Sequence, residues 1–497
     1  MIRNEKVLRH CMLLAALLVT LSGCTVGPTY QAPQPALPAQ WQGASGASGA
    51  IAQQDNLWWE RFNDPVLTRL IEQALAANHD VRIAGLKVQQ AQAMRAAVSG
   101  ALYPGVDALT STNRDSFSEN GPDPIAFLPG VPLDQHGYRM GLNMAWEIDL
   151  FGYTRRQVEA ADARIGQSAA LARGAQLAVV AEVASSYFEW RGLQKRMAIM
   201  RQNIALQEST VDLVQRQLNA GLVSDFDLQR AEAQLQGTRA ALPTLRSASA
   251  AVQNRLAVLI AQMPAQLDRE LAASEALPTP PERIPVGLPS EVLRQRPDIM
   301  AAERAMASAT AQVGVATAAL FPRFSLTGSV GVASSHSDNW LDADSSFHGL
   351  GARLDWPLFA GGALRANIAA ASLRDDEAAL RYEQVVLQSL AEVESALVAF
   401  REAHQRRQGL ARAANTSADV VRLARRQYTA GVADFLAVLD AERELQSAQD
   451  QLAQAETANL LEWVLLYRAM GGGWTDSAAV ARADQAPVDN LWPAPGN

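Results

Sequence analysis

Between Tyr138 and Leu150 the chain alternates residue by residue. Tyr138, Met140, Leu142, Met144, Trp146, Ile148 and Leu150 fall on one side, and Arg139, Gly141, Asn143, Ala145, Glu147 and Asp149 on the other. Phe324, Leu326, Val330 and Val332 alternate in the same way with Ser325, Thr327, Ser329 and Gly331, and Leu350, Ala352, Leu354 and Trp356 with Gly349, Gly351, Arg353 and Asp355. A period of two with one apolar face predicts half-buried strands. A first strand, about Leu102 to Thr110, alternates poorly. Strands of about ten residues with polar insides and aromatic ends fit an outer-membrane barrel, and alternation alone fits a soluble antiparallel sheet equally well. Four strands cannot close a barrel, since the smallest bacterial ones use about eight. An open edge in lipid would leave N–H and C=O groups unpaired. If these strands span a membrane, several chains must therefore share one barrel.

Elsewhere the pattern is helical. From Gly152 to about Asn219, and again from Gly362 to Tyr428, there is no proline, and Ala, Leu, Gln, Glu and Arg dominate. Each stretch predicts a rod of about 100 Å. Alanine at many seam positions allows close packing, and the polar remainder points to water on the other faces. Asn219-Ala220-Gly221 and Ala430-Gly431 predict helix-closing turns, followed by N-caps at Ser224 or Asp225 and at Asp434. Pro243 is expected to kink the next helix and Pro264 to end it.

These elements occur twice. Leu75, Asp80, Val81, Ala84 and Tyr103-Pro104 reappear as Leu293, Asp298, Ile299, Ala302 and Phe321-Pro322. Trp146, Gly152, Arg155, Glu182-Val183, Ala220-Gly221 and Ala231-Glu232 reappear as Trp356, Gly362, Arg365, Glu392-Val393, Ala430-Gly431 and Ala441-Glu442, at a smaller offset because the first copy has the longer hairpin loop. The duplication sets the architecture. Repeat 1 covers 64–262, with a helix, a β-hairpin at about 102–150, a long helix at 152–219 and a helix at 224–262. Repeat 2 covers 290–470, with a helix, a β-hairpin at about 321–358, a long helix at 360–429 and a helix at 434–470. A linker, 263–289, separates them. The hairpin loops, Ser111 to Gln135 and Ala333 to Ser346, are expected outside, the first stiffened by Pro122, Pro124, Pro129 and Pro132.

The amino terminus carries Arg3, Lys6 and Arg9, then an apolar stretch from Cys11 to Thr20 that is too short for a stable span. It ends in Leu21-Ser22-Gly23-Cys24, which resembles the bacterial lipoprotein signal. That likeness implies removal of residues 1–23 and acylation of Cys24, an S-diacylglycerol on the thiol and an N-palmitoyl on the new amine. An ordinary signal peptide with an incidental cysteine is the alternative. Thr25, where an Asp would favour inner-membrane retention, points to the outer membrane. Cys11 and Cys24 are the two cysteines, so the processed chain keeps no free thiol for disulfides or thiolate chemistry. Of 43 basic and 51 acidic groups, processing removes Arg3, Lys6, Arg9 and Glu5 and leaves a net charge of −10, which argues against a nucleic-acid partner. No later segment has some twenty consecutive apolar residues.

Residues 25–56 are rich in Pro, Gly, Ala and Ser and read as an extended tether, loosest at Gly43 to Gly49. Gly471-Gly472-Gly473 reads as a helix stop, not a phosphate loop. His79, His136, His336, His348 and His404 show no metal-ligand spacing, no Gly-x-Ser-x-Gly elbow is present, and Asp375-Asp376-Glu377 reads as a wetted helix face. No metal, cofactor or enzymatic activity is expected.

Several stretches resemble one family: Cys24 to Tyr30, Trp58-Trp59 with Phe62 and Asp64-Pro65, Trp146 to Gly152, Gly221 to Glu232, Leu293 to Asp298, Phe321-Pro322, and Tyr428 through Asp440 to Arg443. They are similar to the TolC-like outer-membrane efflux proteins, in the NodT lipoprotein branch that serves resistance–nodulation–division pumps. The resemblance implies a mainly α chain that forms a homotrimer with a twelve-stranded membrane β-barrel and an α-helical periplasmic tunnel. Residues near 57–64, within the segment 24–63, with 263–289 and the tail 471–497, would form an equatorial belt. An inner-membrane pump, a periplasmic adaptor (membrane fusion) protein and outer-membrane lipids would be its partners, and small molecules or drugs its cargo. Two other readings stay open: the outer-membrane component of a type I protein secretion system, and a periplasmic adaptor.

The resemblance also implies a gate at the periplasmic tip. Asp440 matches an acid that rings the mouth, and Leu436 the apolar position one turn before it. The i, i+4 spacing sets both on one helix face. Arg443 could pair with a carboxylate, and Tyr428 and Asp227 match a tyrosine–acid tie between the two hairpins. Ala437 and Ala433 stand where some relatives have a second acid and an arginine, so fewer polar locks are expected here.

Overall fold

The alternating stretches become one antiparallel sheet. In the computed structural model, which describes residues 25–42, 55–120, 131–264 and 289–474 with Leu267, Leu271, Leu277 and Pro278, strands β1 (Gly105–Ser116), β2 (Asp134–Ile148), β3 (Arg323–Ser334) and β4 (Ser346–Asp355) pair in that order. The register sets Asp107 opposite Asn143, Asn143 opposite Ser329, and Ser329 opposite Gly349. One face is therefore polar and glycine-rich, while Val106, Met140, Leu142, Val330 and Leu350 share the other. Strand β1 starts later and runs further than its alternation indicated. Residues 111–116 are all polar, so their pairing with β2 rests on backbone bonds that hydrophobic patterning does not register. Residues 121–130, including Pro122, Pro124 and Pro129, lie outside the described residues.

The first helix of each repeat is broken in two. Repeat 1 has α1 (Pro65–Ala77) and α2 (His79–Gly100), divided at Asn78, whose carboxamide oxygen accepts from Asp80 N at 2.8 Å and Val81 N at 3.3 Å. The same side chain donates to Leu259 O, which ties the break to another helix. Repeat 2 has α5 (Pro289–Gln295) and α6 (Pro297–Ala318), divided where Pro297 holds Arg296 extended.

The rods are α3 (Tyr153–Asn219) and α7 (Ala363–Thr429), 67 residues each. Both leave the sheet through a left-handed glycine, Gly152 at φ 83° and Gly362 at φ 85°. They return as α4 (Asp225–Leu259) and α8 (Phe435–Met470). Helix α4 passes through Pro243 as one helix and stops before Pro264. Ala261 takes φ 55° and Gln262 N reaches back to Ala257 O, a backbone stop that composition does not mark. Helix α8 ends as the glycine run indicated, at Gly471 with φ 82°. Among the described residues no helix is long and apolar enough to cross a membrane.

The main core lies at mid-length, where the expected belt residues fall. Trp58, Trp59, Phe62, Phe188, Trp463 and Tyr467 pack together, with Trp463 and Tyr467 rings 4.2 Å apart and Phe62 and Trp463 rings 4.7 Å apart. Side chains of this size bury about 150–250 Å² each, so the cluster dominates the packing energy. Leu267 and Leu271 join it. Most of 272–288 and all of 475–497 lie outside the described residues, as do residues 1–24 with Cys24.

Residues 25–42 are not a loose tether but a fixed strap. Arg156, 4% exposed, donates to Val26 O and Gly27 O, and Val26 N donates to Phe151 O. Gly27 lies so close to Gly314 that a Cβ there would stand 2.5 Å from the Gly314 Cα. Tyr30 donates to Glu303 at 3.1 Å, Leu37 packs on Ile299, Tyr382 and Val386, and Trp41 enters the main core. Gly43 to Gly49 fall outside the described residues.

Candidate functional site at the hairpin tips

The free ends of the two helical hairpins carry the residues singled out for a gate. Both turns use one backbone solution. Ala220 and Ala430 N bond Arg216 and Arg426 O at 3.1 Å, and Leu222 and Val432 N bond Gln217 and Gln427 O at 2.9 Å. Gly221 and Gly431 supply φ of 73° and 72°. The caps follow: a Ser224–Asp227 box opens α4, and the Asp434 carboxylate accepts from Ala437 N at 3.0 Å to open α8.

Side chains on α8 then divide. Phe435, Val438, Leu439, Ala441 and Leu445 are buried with Val214, Leu228 and Tyr428. Leu436, 41% exposed, and Asp440, with its side chain 63% exposed, face away from that cluster on the predicted shared face. Arg443 is only loosely paired with Asp440, at 3.9 Å, and its Nε donates to Gln234 Oε1 at 2.8 Å, joining α8 to α4.

The tyrosine tie differs from the expected one. Tyr428 is 7% exposed, and its hydroxyl donates to Gln217 Oε1, not to Asp227. Asp227 is taken up at the head of its own helix, accepting from Ser224 Oγ at 2.9 Å and Ser224 N at 3.3 Å. It is still near enough to matter: burial, then the Asp227 charge, pushes the Tyr428 phenol up. The tyrosine does join the two hairpins, through an amide from the last turn of α3.

The strongest polar link at this end was not anticipated. Glu442 is 3% exposed and accepts from Thr210 Oγ1 at 2.8 Å and from Arg425 Nε and Nη2 at 3.0 and 2.7 Å. Arg425 Nη2 also donates to Leu206 O at 3.1 Å and to Thr210 Oγ1. Three helices, α3, α7 and α8, thus meet at one carboxylate whose burial is tolerated because each of these contacts offsets its desolvation. A signal existed: Glu442 sits between Leu439 and Leu445 on an apolar stripe. Fewer polar locks was the expectation from Ala433 and Ala437; this network supplies one deeper in the hairpins. Among the described residues no cluster suited to a metal ion is found.

The pattern described as outer membrane efflux protein matches residues 70–262 and 288–472, the two repeats. The chain is 31% identical over 487 residues to the antibiotic efflux pump outer membrane protein ArpC of Pseudomonas putida, covering 96% of this chain and 98% of that one. It is 30% identical over 463 residues to nodulation protein T of Rhizobium leguminosarum bv. trifolii, covering 92% and 96%. Among solved structures, the outer-membrane channel OprN superposes with a TM-score of 0.83 at 35% identity, over 91% of this chain and all of that one. The open-state MtrE outer membrane channel of Neisseria gonorrhoeae gives 0.80 at 29% identity, over 90% and 98%.

Proposed function

This chain belongs to the outer membrane efflux protein family and is the outer-membrane exit duct of an efflux pump, extending into the periplasm; from that premise we propose that three copies complete the duct and that the hairpin tips close it. The sheet ends at β1 and β4, which among the described residues have no outer neighbour. In lipid those edges must pair, and pairing between copies is the one closed arrangement available to four strands. The helices carry a matching demand. Leu373, Leu380 and Leu387 stand exposed at heptad spacing on α7, and Ile83, Leu86 and Met94 are exposed on α2. Two such seams on one protomer fit a ring of identical copies. Acylation of Cys24 would anchor the chain beside the barrel, since Thr25 packs against Gly152 at the junction of sheet and rod. A periplasmic adaptor and an inner-membrane resistance–nodulation–division pump complete the machine. Polypeptide secretion is not favoured, because the relatives are pump components.

The observation that carries the gate is the division of side chains on α8: its buried face holds the protomer together while Leu436 and Asp440 face outward. Three copies of Asp440 near an axis would repel one another and attract cations. Arg443, Tyr428 and Asp227 hold the tips in place around them. Recordings of purified protein in planar bilayers test this: Asp440→Ala raises conductance and lowers cation preference. Unchanged currents in both Asp440→Ala and Tyr428→Phe would remove these residues from the gate.

A further inference from the structure

Inside the sheet's polar face lies an arrangement that closing and pairing do not require. Phe347 on β4 lies flat against the sheet, over two glycines. A Cβ on Gly141 would meet its Cζ at 3.3 Å, and one on Gly331 its Cε1 at 2.9 Å and Met140 O at 2.2 Å. The nearer obstacle at both positions is backbone, Val330 O at 2.7 Å from the Gly141 Cβ and Gly141 Cα at 2.6 Å from that of Gly331, so glycine is required there by the close strands and its bareness also lets the ring lie down. The guanidinium of Arg139, an exposed residue of β2, lies over the ring at 4.5 Å from its centroid. This is a cation held against an aromatic face, with its own outer face open.

Arg139 makes no ion pair among the described residues. Its cross-strand neighbours, Ser111 and Ala333, are small and uncharged. Asp107 and Asp115, the carboxylates of β1 on this face, lie opposite Asn143 and Gln135, each four residues along β2 from Arg139. At about 3.3 Å per residue they stand roughly 13 Å away, beyond a Debye length at physiological salt. Glu147 is paired with Arg323, and Asp355 with Arg353. Among the described residues no acid is paired with Arg139, whereas Arg114, Arg323 and Arg353, the other arginines of the sheet, each have one beside them. Immediately below, a shallow hollow of about 470 Å³ runs across the face, bordered by Asp107, Asn143, Thr327, Ser329, Gly349 and Gly351. Its glycine rows leave room for a planar group.

We propose that Arg139, seated on Phe347, is a contact site for aromatic anions on the lumen wall near the outer end of the duct, repeated three times around the barrel. An aromatic ring stacks on the open face of the guanidinium while its acidic group pairs with the same charge. The site lies six residues in from the outer loop on β2 but within two on β3 and β4, at the outer rim of the sheet, so a molecule reaches it after the tips and the tunnel. Three copies of this charge there draw anions outward through a duct whose inner mouth carries Asp440. The inference rests on the trimeric duct reading.

The test uses the full-length trimer in planar bilayers at low salt, with naphthalenedisulfonate added on the outer-loop side. Wild-type current is blocked in a voltage-dependent way, and the block weakens as salt rises. Arg139→Gln weakens it about two- to fivefold, as expected for loss of one exposed charge contact per copy. Phe347→Leu keeps the charge but removes the seat and gives an intermediate loss. Hexanedisulfonate, with the same charge and no ring, blocks wild type less well. Equal block in wild type and Arg139→Gln overturns the site while leaving the duct intact. Equal block by the two disulfonates overturns its aromatic character. Absence of current from every variant, even with Asp440→Ala added to open the tips, overturns the trimeric duct reading and the site with it.

Discussion

The two hairpin tips share one backbone and carry opposite chemistry. Gly221 and Gly431 have φ within a degree of each other, the three bonds that close each turn match, and both following helices open on a capped N-terminus. Yet where the second tip has Leu436 and Asp440, the first has Phe226 and Arg230, with the guanidinium stacked on the ring at 4.5 Å. Where the second has the buried Arg425–Glu442 pair, the first has Gln215 and a half-exposed Glu232. Duplication has kept what closes a helical hairpin and released what the hairpin presents. The turn is a folding requirement, and the outward side chains are free to differ between the copies.

The largest effect expected from that asymmetry is at Glu442. Glu442→Ala leaves Arg425 half-buried without its carboxylate and Thr210 without its acceptor, and should destabilise the tip by about 3 kcal/mol. The matching Glu232→Ala should cost less than about 0.5 kcal/mol. Hydrogen exchange at the last turns of α3 and α7 reads the difference. Equal costs at the two sites would mean that the buried pair contributes nothing specific to the second tip.

The turns should instead respond alike. Gly221→Ala and Gly431→Ala each force a Cβ into left-handed backbone, and no neighbouring atom lies within 4 Å of it. Each should cost about 1–2 kcal/mol through the backbone alone. Thermal melts of the two variants should coincide, and a clear difference would break the equivalence of the tips.

What could be read from sequence divides along the same line. The duplication, the rods, the turns and the caps were legible because glycine, proline and capping side chains act through their own backbone. The breaks at Asn78 and Ala261 were not, because they depend on partners distant in sequence, Leu259 O for Asn78, or on a stop without glycine. Composition alone made residues 25–42 look loose, since a strap held by Arg156, Glu303 and the Ile299 cluster gains its order from surfaces elsewhere in the chain. At the site, the outward face of α8 followed from i, i+4 spacing. The partner of Tyr428 did not, because whether Gln217 or Asp227 receives its hydroxyl depends on the rotation of one hairpin against the other.

That partner gives a smaller test. Tyr428→Phe removes the bond to Gln217 and should cost about 1 kcal/mol, while Leu218, the matching residue of the first repeat, has no such bond to lose. The sign of the pH effect follows from the raised phenol. In the folded tip the neutral form is favoured above its ordinary value of 10.0, whereas the unfolded chain releases its proton near that value. Stability is therefore fully present below about pH 10 and falls as pH rises above it. The Phe variant should lose that part of the alkaline sensitivity. Tyr30 and Tyr382, pushed up by burial and by Glu303, keep theirs and serve as the internal control.

The smallest expected change in stability comes from the substitution that makes the tips most alike. Asp440→Arg gives the second tip the charge that Arg230 gives the first. Asp440 is exposed and its link to Arg443 is loose, so folding should shift by no more than about 0.5 kcal/mol. The current should change far more. If three Asp440 side chains line the mouth, the variant replaces a ring that concentrates cations with one that excludes them. Its reversal potential in a salt gradient should move toward anion preference, and Arg230→Asp, at the matching place on the first tip, should leave that potential nearly unchanged. Equal and opposite shifts from the two substitutions would mean that both tips face the axis alike, and that the second repeat holds no special place in the gate.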